Sequence, residues 1–455
     1  MTAIKGILIT EQLLTDDGLD TQSDISLLVI DSISSKTTNI LEEYIISFTY
    51  NIYKNIFASG KPINYSFTGM NNSLILNNPI YIIQECYNHI LNYFEYNGIS
   101  YERYYNINLG MNNGAGYYVN KYGYGYSWGL NNVGQLGNGN NTNYSTPIAI
   151  YGDHKFDSFK SGGITSHGLE NNQSLTWGWS EYGQLGNNTI VPNKNTPVNI
   201  YGNHTFHHIG GGFNMSSGID NNKKMWTWGK NINGTLGDNS IIDKSTPVAV
   251  CGNHSFCQIE SGYGQSFAID VNGKGWAWGI NDHGQLGDNT VVNRHTPVGI
   301  CGNHTFCQIA SGYNHGLGLD INGKVHTWGI NWFGLLGVNG GVEIHTPVDI
   351  CGNHTFCQID AGYYYSMALD INGDLWGWGC NVYGQLGDNS IVNKSTPVLV
   401  YGGHNIELFN SGLHSSIAAS NGNLWAWGRN NHGQLGDNSI IDKSTPVAVY
   451  GITTP

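Results

Sequence analysis

A Trp-Gly pair recurs along this chain at Trp128, Trp177, Trp228, Trp278, Trp328, Trp378 and Trp427, giving spacings of 49, 51, 50, 50, 50 and 49 residues. A fixed period near 50 marks a propeller or solenoid, in which each unit buries its apolar surface only against its neighbours. In a full copy the pair is followed by Asn281, by Gly284-Gln285-Leu286-Gly287-Asp288-Asn289, and by Thr296-Pro297-Val298. Seven copies account for roughly 350 of the 455 residues.

Each copy holds four short strand signals. In one they are Phe306 to Ile309, Gly316 to Asp320, Val325 to Trp328 and Thr346 to Ile350. The Asn322-Gly323 turn between the second and third recurs at Asn272-Gly273, Asn372-Gly373 and Asn421-Gly422, a strong hairpin signal. Proline cannot donate to a ladder, so the fourth strand should lie at an edge or begin at its Pro. The spacing predicts an all-β, seven-bladed β-propeller of about 50-residue, four-stranded repeats over residues 104–455. A ring with exposed edges is unfavourable, so a strand near Tyr104 to Ile107 is expected to meet the strand Thr445 to Val449.

The Trp-Gly-x-Asn-x-x-Gly-Gln-Leu-Gly pattern, with a Ser-Gly before the second strand, resembles the regulator of chromosome condensation (RCC-type) repeat from residue 104 to about 450. That resemblance also implies a seven-bladed propeller. Blade 1 departs most, with Leu109-Gly110 in place of Ser-Gly, and Gly234-Thr235 and Gly334-Leu335 depart mildly. The activity the family is best known for is guanine-nucleotide exchange on a small GTPase, through a wedge inserted between propeller strands. Repeats of this even length leave no room for one.

Residues 1–103 hold no repeat and none of the 13 Trp residues, which sets a domain boundary. Ile25 to Ile30 reads as a buried strand. Asn39 to Phe57 has helical apolar spacing with Glu42 and Glu43 early, and Pro79 to Tyr96 looks like a second helix. The leader is expected to be a small mixed α/β domain that docks the chain onto an assembly.

Charged residues make up 11% of the chain and the net charge is −13. A nucleic-acid partner would need a basic patch, so none is expected. No apolar run is long enough to span a membrane, and Met1 to Thr10 is too short for a secretory signal.

Positions constant in all seven copies meet a demand every blade shares, which is packing. The His of Cys251-Gly-Asn-His254-Ser-Phe-Cys257 persists at His154, His204 and His404 without the Cys pair. It therefore serves the turn and not a metal site, and no metal or cofactor is expected. Cys251/Cys257, Cys301/Cys307 and Cys351/Cys357 read as thiols unless oxidant joins them. The Asp-x-Asn-Gly stretches at Asp270, Asp320 and Asp370 read as hairpin turns and not calcium loops.

Variable positions are the binding candidates. After Trp-Gly-x-Asn, or Trp-Gly-x-Ser in the second copy, the next two residues include Tyr182, His283, Trp332, Phe333, Tyr383 and His432. A second column holds Tyr263, Tyr313 and the run Tyr363, Tyr364 and Tyr365. Loops from all blades converge on a face, and aromatics with a polar tip are what sugar- and protein-binding surfaces use. No nucleophile turn, zinc-protease helix or phosphate loop is present, so no catalytic residue is proposed. Low charge, aromatic loops and an Asn-, Ile- and Tyr-rich composition favour a non-enzymatic propeller displayed on a virion or cell surface. Glycans or a surface protein would then be its ligands, with an intracellular protein-binding propeller as the alternative.

Overall fold

In the computed structural model, residues 28–37, 44–52, 63–66, 108–120, 122–190, 193–403 and 405–453 are described. The chain divides into two units, 1–103 and 104–455. In the first, strands β1 (Leu28–Thr37), β2 (Tyr44–Ile52) and β3 (Ile63–Ser66) pair antiparallel in that order. β2 takes the place of the helix expected over Asn39 to Phe57. Seven of its nine residues are β-branched or aromatic, types that favour extended chain, and this outweighs the helical spacing. The second expected helix, Pro79 to Tyr96, lies outside the described residues.

The second unit is seven four-stranded antiparallel meanders spanning residues 108–149, 158–199, 206–249, 256–299, 306–349, 356–399 and 408–453. Blade 4 is representative, with strands Phe256–Ser261, Gln265–Asp270, Gly275–Gly279 and Arg294–Gly299. The first strand of every blade lines a central channel. The fourth strand is the outer edge, which is where its proline is tolerated. In every blade the register between third and fourth strands shifts across the Trp of Trp-Gly, as between Ala277 and Gly279. In blade 1 the Ser-Gly position is taken by Met111-Asn112 and not by Leu109-Gly110, because Asn112 N donates to Ala115 O as Gly162 N does to Thr165 O.

The core lies between blades. All seven Trp-Gly tryptophans are fully buried. Each indole Nε1 donates to a backbone carbonyl of the preceding blade's third-to-fourth-strand loop, at 2.9–3.0 Å. The acceptors are Gln135, Gln184, Thr235, Gln285, Leu335, Gln385 and Gln434. Since the main chain accepts, Thr235 and Leu335 serve as well as Gln. Two residues on, the glycine of Gln-Leu-Gly lies under the ring: a Cβ at Gly137 would sit 2.5 Å from Trp177 Nε1, and one at Gly436 2.7 Å from Trp128 Nε1.

The ring closes by this same contact. Among the described residues the strand that holds Thr445 to Val449 pairs with its own blade's third strand, Asn423–Gly428. Trp128 Nε1 donates to Gln434 O at 2.9 Å, Met111 N to Asn410 Oδ1 at 2.7 Å and Asn438 N to Ser145 O at 3.0 Å. Leu109, Met111, Tyr118 and Trp128 pack with Ile417, Leu424, Leu435 and Val449. Tyr104 to Ile107, the segment expected to meet that strand, lies outside the described residues.

Trp128→Ala opens the closing interface and is expected to cost about 3–5 kcal/mol in chemical denaturation, the range for a buried Phe or Trp truncation. Trp328→Phe keeps the ring but leaves Gln285 O without its donor, and is expected to cost roughly 1–3 kcal/mol. A loss below about 1 kcal/mol for Trp128→Ala would show that closure does not depend on this contact.

Candidate functional site

In a meander the loops joining strands one to two and three to four share one face, and the remaining turns share the other. On the second face the sequence motifs are occupied by structure. The rings of His254 and Trp276 lie 3.9 Å apart, and those of His354 and Trp376 lie 4.1 Å apart, so these histidines pack. Asp270 Oδ1 accepts from Asn272 N and Lys274 N, and its Oδ2 accepts from Trp276 Nε1 at 3.0 Å, fixing the hairpin turn. Cys307 Sγ lies 3.5 Å from Leu319 O, burial pushes its thiol up to about 12, and none of the three Cys pairs is joined as a disulfide.

On the first face the long loops are fastened from inside. Asn281 Nδ2 donates to Asp288 Oδ1, Thr290 O and Val292 O, while its Oδ1 accepts from Leu286 N at 2.9 Å. The same staple recurs at Asn131, Asn231, Asn381 and Asn430. The two residues between Asn and Gly are left free to vary. The short first loops are chained by backbone bonds around the channel mouth, as in Asn113 N to Gly163 O, Gly163 N to Gly212 O and Phe213 N to Gly262 O.

On this frame most of the candidate aromatics form one arc. Ring centroids run Phe213–Tyr263 at 5.1 Å, Tyr263–Tyr313 at 4.6 Å, Tyr313–Tyr363 at 4.3 Å and Tyr363–Tyr364 at 4.5 Å. Tyr364 carries the arc outward to Phe333 at 5.7 Å and Trp332 at 6.4 Å, and His283 touches Trp332 at 5.9 Å. On the other side Tyr363 meets His414 and His414 meets Tyr383, over which Arg429 stands at 4.9 Å. Trp332, Phe333 and Tyr263 are 43%, 48% and 38% exposed.

Burial and the neighbouring Tyr313 raise the pKa of both Tyr363 and Tyr364. Burial, with Arg429, lowers His414 to about 4, so it is neutral at physiological pH. A hydrogen bond from His283, 2.7 Å from Glu343 Oε1, holds the Glu343 carboxyl below its usual value.

Three candidates fall elsewhere. Tyr182 packs on Trp179 under Lys230, in blade 2. His432 lies beside Asn431 in blade 7. Tyr365 is not at the surface: it is fully buried, and its hydroxyl donates to Ser415 O at 2.8 Å. As the first residue of the strand Tyr365–Asp370 it points between blades. Phe213 and His414 were missed, although Phe213 follows Gly212 as Tyr263 follows Gly262.

Phe333 has φ of +60°, and Asn233 holds the equivalent place in blade 3 at +57°. Asparagine tolerates the left-handed region, whereas a phenylalanine there is strained by about 1–3 kcal/mol.

The channel inside the arc was also missed. It is lined by the first strands and encloses about 240 Å³. At one shared position the seven blades carry Gly110, Lys160, Gly210, Glu260, Ala310, Asp360 and Asn410. Lys160 Nζ donates to Glu260 Oε1 at 3.0 Å, and that carboxylate raises its pKa. Burial, helped by Glu260, pushes the Asp360 carboxyl up to about 7 against the opposing pull of the Ser411 N–H and Lys160.

Seven contiguous four-stranded blades locked by Trp-Gly repeats, with a loop face carrying an aromatic arc, define a seven-bladed propeller of the RCC type. The model of the RCC1-like domain matches residues 203–454, and that of the regulator of chromosome condensation (RCC1) repeat matches residues 123–163. The chain belongs to the RCC1-like domain family. Among solved structures, yeast RCC1 (Prp20) in its complex with Kap60 superposes with a TM-score of 0.66 at 22% identity, over 77% of this chain and 85% of that one. Prp20p from Saccharomyces cerevisiae gives 0.65 at 24% identity over 72% and 85%. Human WBSCR16 gives 0.65 at 18% over 71% and 93%. Among curated proteins none matches the chain in sequence. Among the described residues no helix is long and apolar enough to cross a membrane.

Phe333→Asn, which installs the blade 3 residue, is expected to leave denaturant stability unchanged or raise it by up to about 1 kcal/mol. A loss of more than that would show the ring contributes to the fold. Asp360 has a folded pKa above its unfolded one, so its contribution is complete below about pH 4 and is lost as pH rises through about 7. The wild type is therefore expected to lose stability relative to Asp360→Asn across that window, at up to about 1.4 kcal/mol per pH unit. Parallel pH profiles for the two proteins would contradict this.

Proposed function

We propose that this propeller binds a protein partner, without catalysis, through the face made by its first-to-second and third-to-fourth strand loops. The observation that carries the reading is the aromatic arc of blades 3 to 6, with Trp332, Phe333 and Tyr364 at its exposed end. Phe333 is held in a strained backbone conformation at a half-exposed tip, where its ring contact is with Tyr364 of the arc and not with the core, which favours a binding role. The same loops carry exposed aliphatic pairs, Ile241-Ile242, Val291-Val292, Ile391-Val392 and Ile440-Ile441, each 50–66% exposed. Sugars are recognised by aromatic platforms flanked by polar groups, whereas rows of bare aliphatics favour a protein surface.

Yeast RCC1 has been solved bound to Kap60, and the Prp20p structure was described together with its binding to Gsp1p and histones. A fold that serves as a protein-binding surface in those proteins supports the same use here. Nucleotide exchange on a GTPase is the weaker form of the reading, because among the described residues every blade is a plain four-stranded meander. Display on a virion or cell surface, with residues 1–103 as anchor, draws on composition and on the separate leader alone.

The test is affinity capture with the full chain, followed by cross-linking to locate the contact. Trp332→Ala combined with Phe333→Ala is expected to weaken retention of the captured protein by about 30-fold or more, as two central aromatics do in protein interfaces. The thermal midpoint should stay within a few degrees of wild type. Retention unchanged by this pair, with cross-links on the opposite face, would overturn the assignment of the face.

A further inference from the structure

The channel beneath the arc holds more charge than its blade-to-blade contacts require, since Asn410 accepts from Met111 N with a neutral amide as Asp360 accepts from Ser411 N. Blades 1, 3 and 5 fill the shared position with Gly110, Gly210 and Ala310. Blades 2, 4 and 6 instead place Lys160, Glu260 and Asp360 there, around one cavity. Gly210 has no side chain to obstruct Lys160, which reaches past blade 3 to pair with Glu260 at 3.0 Å. One carboxylate is thereby neutralised. Asp360 accepts only from neutral donors, Ala361 N at 2.8 Å, Asn410 Nδ2 at 2.8 Å and Ser411 N at 2.6 Å. Among the described residues no Lys, Arg or His nitrogen is paired with it.

The space above Asp360 is aromatic. The strand ends at Ala361, and Gly362 and Tyr363 begin the loop at the channel mouth. Tyr263, Tyr313 and Tyr363 line the same cavity. Its 240 Å³ is below the roughly 300–1,000 Å³ that takes a drug-sized ligand, which leaves room for one side chain. Aromatic walls over a half-buried carboxylate that lacks an ion-pair partner suit an organic cation. A hard metal ion suits them less, because three N–H donors already hold the carboxylate oxygens it would need.

We propose that the channel mouth is a binding site for one guanidinium or ammonium side chain, presented by the protein partner, passing Tyr263, Tyr313 and Tyr363 to reach Asp360. This rests on the protein-binding reading above. The charged and titratable groups facing Asp360 are Glu260 and Lys160 across the channel, Tyr365 from its own blade and Tyr363 at the rim. With Lys160 committed to Glu260, a single carboxylate is left for a single incoming cation. Its occupation should follow the ionisation of Asp360.

The probes are N-acetyl-arginine amide and N-acetyl-lysine amide, titrated into the full chain by NMR at pH 8 and pH 5.5, with N-acetyl-glutamine amide as the neutral control. Saturable binding of at least one cation is expected, roughly tenfold or more weaker at pH 5.5, where the carboxyl is protonated. The neutral amide should not bind. Asp360→Asn should abolish both the binding and its pH dependence. Should that variant fold poorly, Tyr313→Ala at the rim should weaken binding severalfold and keep the pH dependence. Equal affinity at the two pH values, unchanged affinity in Asp360→Asn, or binding of the neutral amide would overturn the proposal. If the Trp332 and Phe333 variants lose the captured protein while neither cation binds, the cation site fails and the protein-binding face stands. If a cation binds as described and capture ignores those variants, the site stands and the face is wrong.

Discussion

The contact between a tryptophan indole and the main chain of the preceding blade sets the rest of the structure. A four-stranded sheet of this size exposes two apolar faces and cannot be stable alone. Trp278 covers one such face, donates its only N–H to Thr235 O, and lies on the flat surface left by Gly237. Repeated around the ring, the contact joins residues as far apart in sequence as Trp128 and Gln434, and each blade then depends on two neighbours. A backbone acceptor suits repetition because it survives side-chain change.

Within the long loops that carry the buried Asn, its polar groups are spent on the loop itself. Asn381 is fully buried and holds Asp388, Ser390 and Val392, while Lys394 neutralises Asp388 at 3.2 Å. A loop fixed by its own buried amide can carry almost any residue at its tip. This is why Asp282-His283, Trp332-Phe333 and Val382-Tyr383 stand at equivalent positions without disturbing the blades. The binding face is thus a set of interchangeable tips on a fixed ring, and its character is decided by which blades carry aromatics.

The architecture was legible because the period, the Trp-Gly pair and the Asn-Gly turns each report a demand common to seven copies. Strand order, the edge position of Pro347 and the packing role of His254 followed from that. The leader was less legible: over Tyr44–Ile52 apolar residues are so dense that helical and extended spacing both fit, and only the β-branched and aromatic content separates them. Within the site, Tyr263, Tyr313, Tyr363 and Tyr364 could be read from their column. Tyr365 could not, since adjacent residues of an emerging strand point to opposite sides and the sequence does not show where the strand begins. Phe213 was available from the same column, and His414 gained its place only through tertiary contact with Tyr363 and Tyr383.

Comparing copies within one chain separates scaffold from function only when each column is judged against what its position demands. At the loop tips variation costs little, so an aromatic there is weak evidence taken alone. On the channel strand the demand is strict, because seven strands converge on a narrow axis and a buried charge is destabilising unless paired. Gly110, Gly210 and Ala310 show what that axis accepts without cost. Asp360, half-buried among neutral donors, accepts from Ser411 N of the next blade as Asn410 accepts from Met111 N. A neutral amide serves that contact in blade 7, so the charge of Asp360 runs against this demand. A residue whose position penalises it and whose neighbours do without it is stronger evidence of selection for binding than any exposed tyrosine around it.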